Sequence, residues 1–154
     1  MFERYTENAS RSIHFARYEA SQLGSRAIEA QHLLLGILRV MPDELYRFLA
    51  SGTSIEAIRK KIKTHSAASE KVPTGVEIPQ ADELKRVLAN AGREAERLNQ
   101  PRVGLEHLLL GLLREEDCYA AQILRERGAD ADRIRKALED SSTSTPGGDF
   151  GDYT

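Results

Sequence analysis

Ala9, Ile13, Ala16, Ala20 and Leu23 step along the chain at spacings of 4, 3, 4 and 3 residues. Such spacing stacks side chains on one face of an α-helix, which completes a turn every 3.6 residues. Leu84, Leu88, Ala91, Ala95 and Leu98 repeat the pattern. Each stripe is followed by a denser run, His32-Leu33-Leu34-Leu35-Gly36 and His107-Leu108-Leu109-Leu110-Gly111. Helices apolar on nearly every side belong at the centre of a core. Glycine inside a helix costs about 1 kcal/mol relative to alanine, so Gly36 and Gly111 predict close backbone approach between helices. Thr6 stands at a helix N-cap, and Gly24 at the following stop. Pro42 suits the first turn of a short third helix, with Gly52 just past its end. Ser54 and Asp130 are positioned to cap a fourth helix in each half.

The two halves are copies. Ala16, Glu19, Ala20, Leu23, His32, Leu33, Leu34, Leu35, Gly36, Leu38 and Arg39 recur at a constant offset of 75. Farther on the offset becomes 76, where Ile58-Arg59-Lys60 answers Ile134-Arg135-Lys136 and Gly52 answers Gly128. One residue has therefore been gained or lost in a loop. Two repeats make a compact two-fold unit rather than an open solenoid. The predicted fold is all-α: an eight-helix bundle of two pseudo-two-fold-related four-helix repeats. The first repeat is assigned to residues 1–63 and the second to 80–140. A Ser-, Ala-, Pro- and Gly-rich linker covers 64–79, and a polar low-complexity tail covers 141–154.

Charge narrows the partners. Across 154 residues, 22 Lys and Arg nearly balance 24 Asp and Glu, so nothing global attracts nucleic acid or an anionic membrane. Arg59, Lys60, Lys61 and Lys63 read as the solvated face of a helix. A single cysteine, Cys118, cannot form an internal disulfide, which fits a reducing compartment. The apolar runs Leu33 to Leu35 and Leu108 to Leu110 are too short to span a bilayer, and no leader follows Met1, so a cytoplasmic location is expected.

The reactive residue types form no recognisable catalytic or metal motif. Glu106 adjoins His107, but helix neighbours point about 100° apart. Neither His32 nor His107 has a second His or Cys at i+3 or i+4, so metal-ligand spacing is missing. His14 and His65 complete no triad. Cys118, beside Glu115, Glu116 and Asp117, lacks an activating cation and reads as a core or boundary thiol. No phosphate-binding loop occurs, and no cofactor is expected. A hydrolase using His107 and Glu106 is the rival enzyme reading. It requires both side chains in one cleft, and burial of His107 removes it.

The opening Met1-Phe2-Glu3-Arg4-Tyr5-Thr6-Glu7 and the two His-Leu-Leu-Leu-Gly blocks resemble the N-terminal domains of the ClpC and ClpA family. Gly104-Leu105-Glu106-His107-Leu108-Leu109-Leu110-Gly111-Leu112 carries the family signature; Glu29-Ala30-Gln31-His32 is its more diverged counterpart. The resemblance covers residues 1 to about 140. It implies a non-catalytic protein-binding module of the Clp proteolysis and chaperone system. Its partners would be a Clp ATPase or protease subunit, an adaptor or an unfolded client. The alternative is an N-terminal fragment of a larger Clp AAA+ unfoldase. By the same resemblance, Phe2, Arg4, Tyr5, Lys85 and Arg86 lie on the segments that receive partners. Some relatives bind phosphoarginine in one pocket per repeat, using a Thr at the start of the first helix and a Glu before the signature His. Carried over within each repeat, Thr6 is paired with Gln31 and Ala81 with Glu106, so each pocket is degenerate, having lost one element, and Thr6 as a plain cap with Glu106 as a surface carboxylate is the preferred reading.

Overall fold

The computed structural model describes residues 4–66, 73 and 76–143. These residues form eight α-helices: α1 (Glu7–Gln22), α2 (Ala30–Val40), α3 (Pro42–Tyr46), α4 (Ile55–His65), α5 (Asp82–Arg97), α6 (Leu105–Arg114), α7 (Tyr119–Glu126) and α8 (Ala131–Thr143). Extended pairing among them is limited to two isolated bridges. The all-α double repeat is therefore the observed architecture, with α1–α4 and α5–α8 as its halves.

Local chemistry accounts for the helix ends. Thr6 Oγ1 accepts from the Ala9 amide at 3.1 Å, and Ser54 Oγ accepts from the Ala57 amide at 3.0 Å. Each thereby satisfies an amide that lacks an intrahelical partner. Pro42 occupies the first turn of α3, where its missing N–H costs nothing. The chain leaves α1 through Gly24 (φ 72°) and leaves α5 through Asn99 (φ 55°). Asparagine is one of the few non-glycine residues that tolerates this left-handed region.

Packing follows the apolar pattern. α2 and α6 lie at the centre, with Leu33, Leu34, Leu108 and Leu109 fully buried. α1 packs chiefly on α2 and α5 on α6, while α2 also meets α5 and α7, and α1 meets α6. Gly36 and Gly111 fulfil the expected close approach: a Cβ on Gly36 would overlap the Ser12 carbonyl of α1, and one on Gly111 the Val87 carbonyl of α5. Two carboxylates, Glu19 and Glu94, are among the buried polar side chains. Glu19 receives Arg39, and Glu94 receives Arg97 and Arg135.

Part of the segment expected as linker is ordered. α4 continues through Thr64 to His65. Ile78 is buried, and the Pro79 carbonyl accepts from the Ile28 amide at 2.8 Å. Sequence composition did not reveal these roles because the segment has no apolar periodicity and pairs with Ile28 of the first repeat, far away in the chain. α8 likewise extends to Thr143, three residues into the stretch read as tail; positions 144–154 lie outside the described residues.

Candidate functional site

The two bridges cross the halves over. Tyr5 pairs with Val103, and Ile28 with Gln80. The Thr6 amide donates to the Val103 carbonyl at 3.0 Å, and the Val103 amide to the Arg4 carbonyl at 2.8 Å. Each repeat thus sets the start of its first helix beside the start of the other repeat's second helix. The N-termini of α1 and α6 converge on a cleft of about 340 Å³ whose walls include Thr6, Glu44, Arg47, Gly104 and Glu106. Thr6 Cγ2 and Glu106 Oε1 both approach the Gly104 Cα–H side, where a Cβ would lie 3.6 and 3.9 Å from them.

This geometry corrects the within-repeat pairing. Thr6 and Glu106 line one cleft, whereas Ala81 lies beside Ile28, at the approach to α2. The offset of 75 identifies equivalent residues, but it cannot tell which copy supplies a partner. At the crossed position, the Ala81 amide donates to the Ile28 carbonyl at 2.9 Å, and Ala81 caps α5 without a side-chain hydrogen bond. Glu83 Oε1 takes the Ala30 amide at 3.0 Å, and Gln31 Nε2 donates to Glu29 Oε1 at 2.8 Å. The Thr/Glu pair is therefore complete in one place and absent in the other.

The cleft joins opposing electrostatic elements. Unpaired amides in the first turns of α1 and α6 favour an anion, and Arg47 adds a cation at the wall. Glu7, Glu44 and Glu106 also line it and favour a cationic group. Sequence reasoning did not find Glu44 or Arg47, because they come from α3 and its C-cap, outside the signature.

The residues expected to dock partners divide. Phe2 lies outside the described residues. Arg4 lays its guanidinium over Gly92 of α5, and Lys85 is exposed two turns earlier on that helix. Residues seven apart share a helix face, about two turns from one another, so Arg4 and Lys85 lie toward the same side of α5. Arg86 instead turns to Glu115 at 3.0 Å. Tyr5 is half-buried and packs against the core.

Glu106 and His107 do not converge. His107 is 4% exposed, with Nδ1 accepting from the Gly104 amide at 2.9 Å and Nε2 paired with Gln100 Oε1 at 2.5 Å. His32 similarly accepts the Glu29 amide on Nδ1 at 2.8 Å. Both imidazoles are side-chain caps, a role their sequence motif did not disclose. His65 stacks on Tyr119 at 3.7 Å, and His14 meets Phe15 edge-on. Among the described residues no His, Cys, Asp and Glu group is fit to hold a metal ion. Cys118 caps α7 by accepting from the Ala121 amide at 3.4 Å, and burial pushes its thiol pKa up.

Burial holds both His32 and His107 below the ordinary histidine pKa, despite nearby Glu29 and Glu106. The unfolded chain therefore takes up protons first as pH falls below about 6.5. The histidine contribution to stability is fully present above that pH and is lost through the lowered folded-state values. We expect the urea midpoint to fall between pH 7 and 5, and His107→Gln to flatten that dependence. An unchanged slope in the variant rejects the assignment.

The sequence matches the model of the Clp repeat (R) N-terminal domain family over residues 4–127 and 81–152. It is 36% identical over 155 residues to chloroplastic chaperone protein ClpC of Pisum sativum, covering 96% of this chain and 17% of that protein. It is 37% identical over 136 residues to chloroplastic ClpC1 of Oryza sativa subsp. japonica, covering 88% and 15%. The chain thus spans about a sixth of those relatives' length. The N-terminal domain of ClpD from Arabidopsis thaliana superposes with a TM-score of 0.70 at 26% identity, over 94% of this chain and 97% of that one. The Hsp104 N-terminal domain from Candida albicans gives 0.69 at 19%, over 93% and 94%, a likeness of fold. No helix among the described residues is long and apolar enough to cross a membrane.

Proposed function

The chain belongs to the Clp repeat N-terminal domain family, and from that premise we propose that it recognises proteins for a Clp ATPase without doing covalent chemistry itself. The similarity to the N-terminal regions of longer Clp chaperones supports a receiving domain, in one chain with the ATPase or acting beside it. The relatives' chloroplastic names and the buried thiol of Cys118 leave a reducing compartment, cytoplasmic or plastidic, as part of the proposal.

The observation that carries this reading is the shared Thr6–Glu106 cleft. Its ligand is a phosphoarginine side chain on a client. The amides of α1 and α6, with Arg47, face the phosphate. Glu106 forms charge-assisted hydrogen bonds to the guanidinium. Phosphate alone meets Glu7, Glu44 and Glu106, so a phosphoserine is rejected and the guanidinium is required. Arg4, Tyr5 and Lys85 contribute a docking surface for an adaptor or the rest of the client.

Calorimetry with free phosphoarginine tests the site. One equivalent binds the native protein, Glu106→Gln weakens binding at least about tenfold, or ~1.4 kcal/mol, and phosphoserine does not compete. Absence of binding, or equal binding by Glu106→Gln, rejects the ligand assignment.

A further inference from the structure

We propose that a second cavity, bounded by the end of α1, the start of α2 and the end of α4, binds a primary carboxamide such as an Asn or Gln side chain. The inference comes from comparing the two histidine caps and does not depend on the Thr6–Glu106 cleft.

In the second repeat, His107 uses both nitrogens: Nδ1 accepts the Gly104 amide, and Nε2 meets the Gln100 carboxamide oxygen. His32 keeps only the first of these contacts. Its Nδ1 lone pair is taken by the Glu29 amide at 2.8 Å, so the proton of the neutral ring resides on Nε2. The residue equivalent to Gln100 is Ser25 at the same offset. Ser25 is shorter and directs its hydroxyl proton to the Ala27 carbonyl at 2.6 Å. Among the described residues Nε2 of His32 meets no side-chain acceptor, and it is not a buried unmet donor but opens outward from an otherwise buried ring. It lines a cavity of about 260 Å³ together with Ser25, Glu29, His65 and Ser66.

The cavity thus replaces the place that a carboxamide fills in the other repeat. His32 Nε2–H opens onto this cavity, where a ligand carbonyl replaces solvent as its acceptor. The opposite wall suits the amide NH₂. Ser25 and Ser66 donate their protons to backbone carbonyls, at 2.6 and 3.1 Å, and although Ser25 Oγ also accepts from the Ala27 amide at 3.3 Å, each oxygen keeps capacity to accept. Glu29 is a further acceptor and repels a carboxylate ligand. The volume lies below the roughly 300–1,000 Å³ of sites for drug-sized molecules, which restricts the occupant to a side chain or a comparably small amide.

Propionamide and propionate differ in this one group and are the probes. In histidine-selective ¹⁵N NMR, propionamide should shift His32 Nε2 saturably in the millimolar range, and propionate should not. Ser25→Gln supplies an internal carboxamide and should abolish the response. Gln100→Ser should create a second response at His107. The His107 resonances report folding of Ser25→Gln, and those of His32 report folding of Gln100→Ser. Glu106→Gln should leave the response intact, separating this site from the phosphoarginine cleft. No saturable shift, an equal shift with propionate, or a response retained by folded Ser25→Gln overturns the proposal.

Discussion

Gly36→Ala is expected to destabilise the protein by about 3 kcal/mol, although alanine is the better helix former. Propensity alone favours alanine by about 1 kcal/mol. The added methyl, however, would overlap the Ser12 carbonyl oxygen and approach the Ser12 carbonyl carbon and Ala16 nitrogen at 3.1 and 3.2 Å. These are backbone atoms of α1 and cannot rotate away, so α1 and α2 must separate. Overpacking a well-filled core costs typically about 1–3 kcal/mol and sometimes more, and separation also loses contacts along the whole pair. Gly111→Ala should behave alike because its methyl meets the Val87 carbonyl of α5. Gly52→Ala is the control: nothing lies within 4 Å, and only its φ of +85° resists a side chain. Its cost should be about 1 kcal/mol. Thermal and urea unfolding of the three variants check the order; a Gly52 variant as damaged as the Gly36 variant defeats the packing argument.

Arg39→Ala should cost about 3 kcal/mol, and Arg135→Ala only about 1, even though each arginine serves a buried glutamate at an equivalent position. Glu19 is 5% exposed, and Arg39 donates to its Oε2 through Nε at 3.1 Å and Nη2 at 2.8 Å. Arg39 also lies over Phe15 and Tyr18, 5.0 and 5.4 Å from the ring centroids. Its removal loses those contacts and strands a buried carboxylate, which costs roughly 3–5 kcal/mol in well-buried pairs. The lower end applies because the Arg39 side chain is 45% exposed. Glu94 has two cations, Arg97 at 3.4 Å and Arg135 at 3.1 Å, so one remains after Arg135→Ala. Adding Glu19→Gln to Arg39→Ala should recover much of the loss by removing the stranded charge. Urea unfolding at pH 7 measures all four proteins. Equal costs for the two arginines, or no recovery in the double variant, contradict this account.

The same glutamates mark how far the duplication could be read. Glu19 and Glu94 are visibly equivalent, but their cations are not: Arg39 comes from α2, whereas Arg135 comes from α8. Arg59, the counterpart of Arg135, pairs instead with Glu56. A repeat offset transmits residue identity, while side-chain rotamers and neighbouring helices choose among partners within reach. The histidines show the same divergence, since Gln100 completes one cap and Ser25 leaves the other open.

The candidate cleft was legible as residues and illegible as a pairing. Thr6 and Glu106 stand out as an N-cap and a signature carboxylate. Only the Tyr5–Val103 bridge brings them together, and the two bridged segments are individually too short to advertise strand pairing. Arg47 and Glu44 enter from the α3 region, where nothing in the repeat pattern distinguishes them from solvated charges.

The sequence by itself determined the helical class, the duplication, the helix starts at Thr6 and Ser54, and the close approach at Gly36 and Gly111. These features are local or periodic: a cap acts over three residues, a helix face recurs every turn, and a glycine inside an apolar helix has few other uses. The tertiary structure alone decided that the N-caps cross between repeats, which arginine meets each buried glutamate, and that His32 Nε2 opens onto a cavity at the position where His107 meets Gln100. Those outcomes depend on contacts between distant segments, whose geometry is set by the packing of all the helices and leaves no period in the chain.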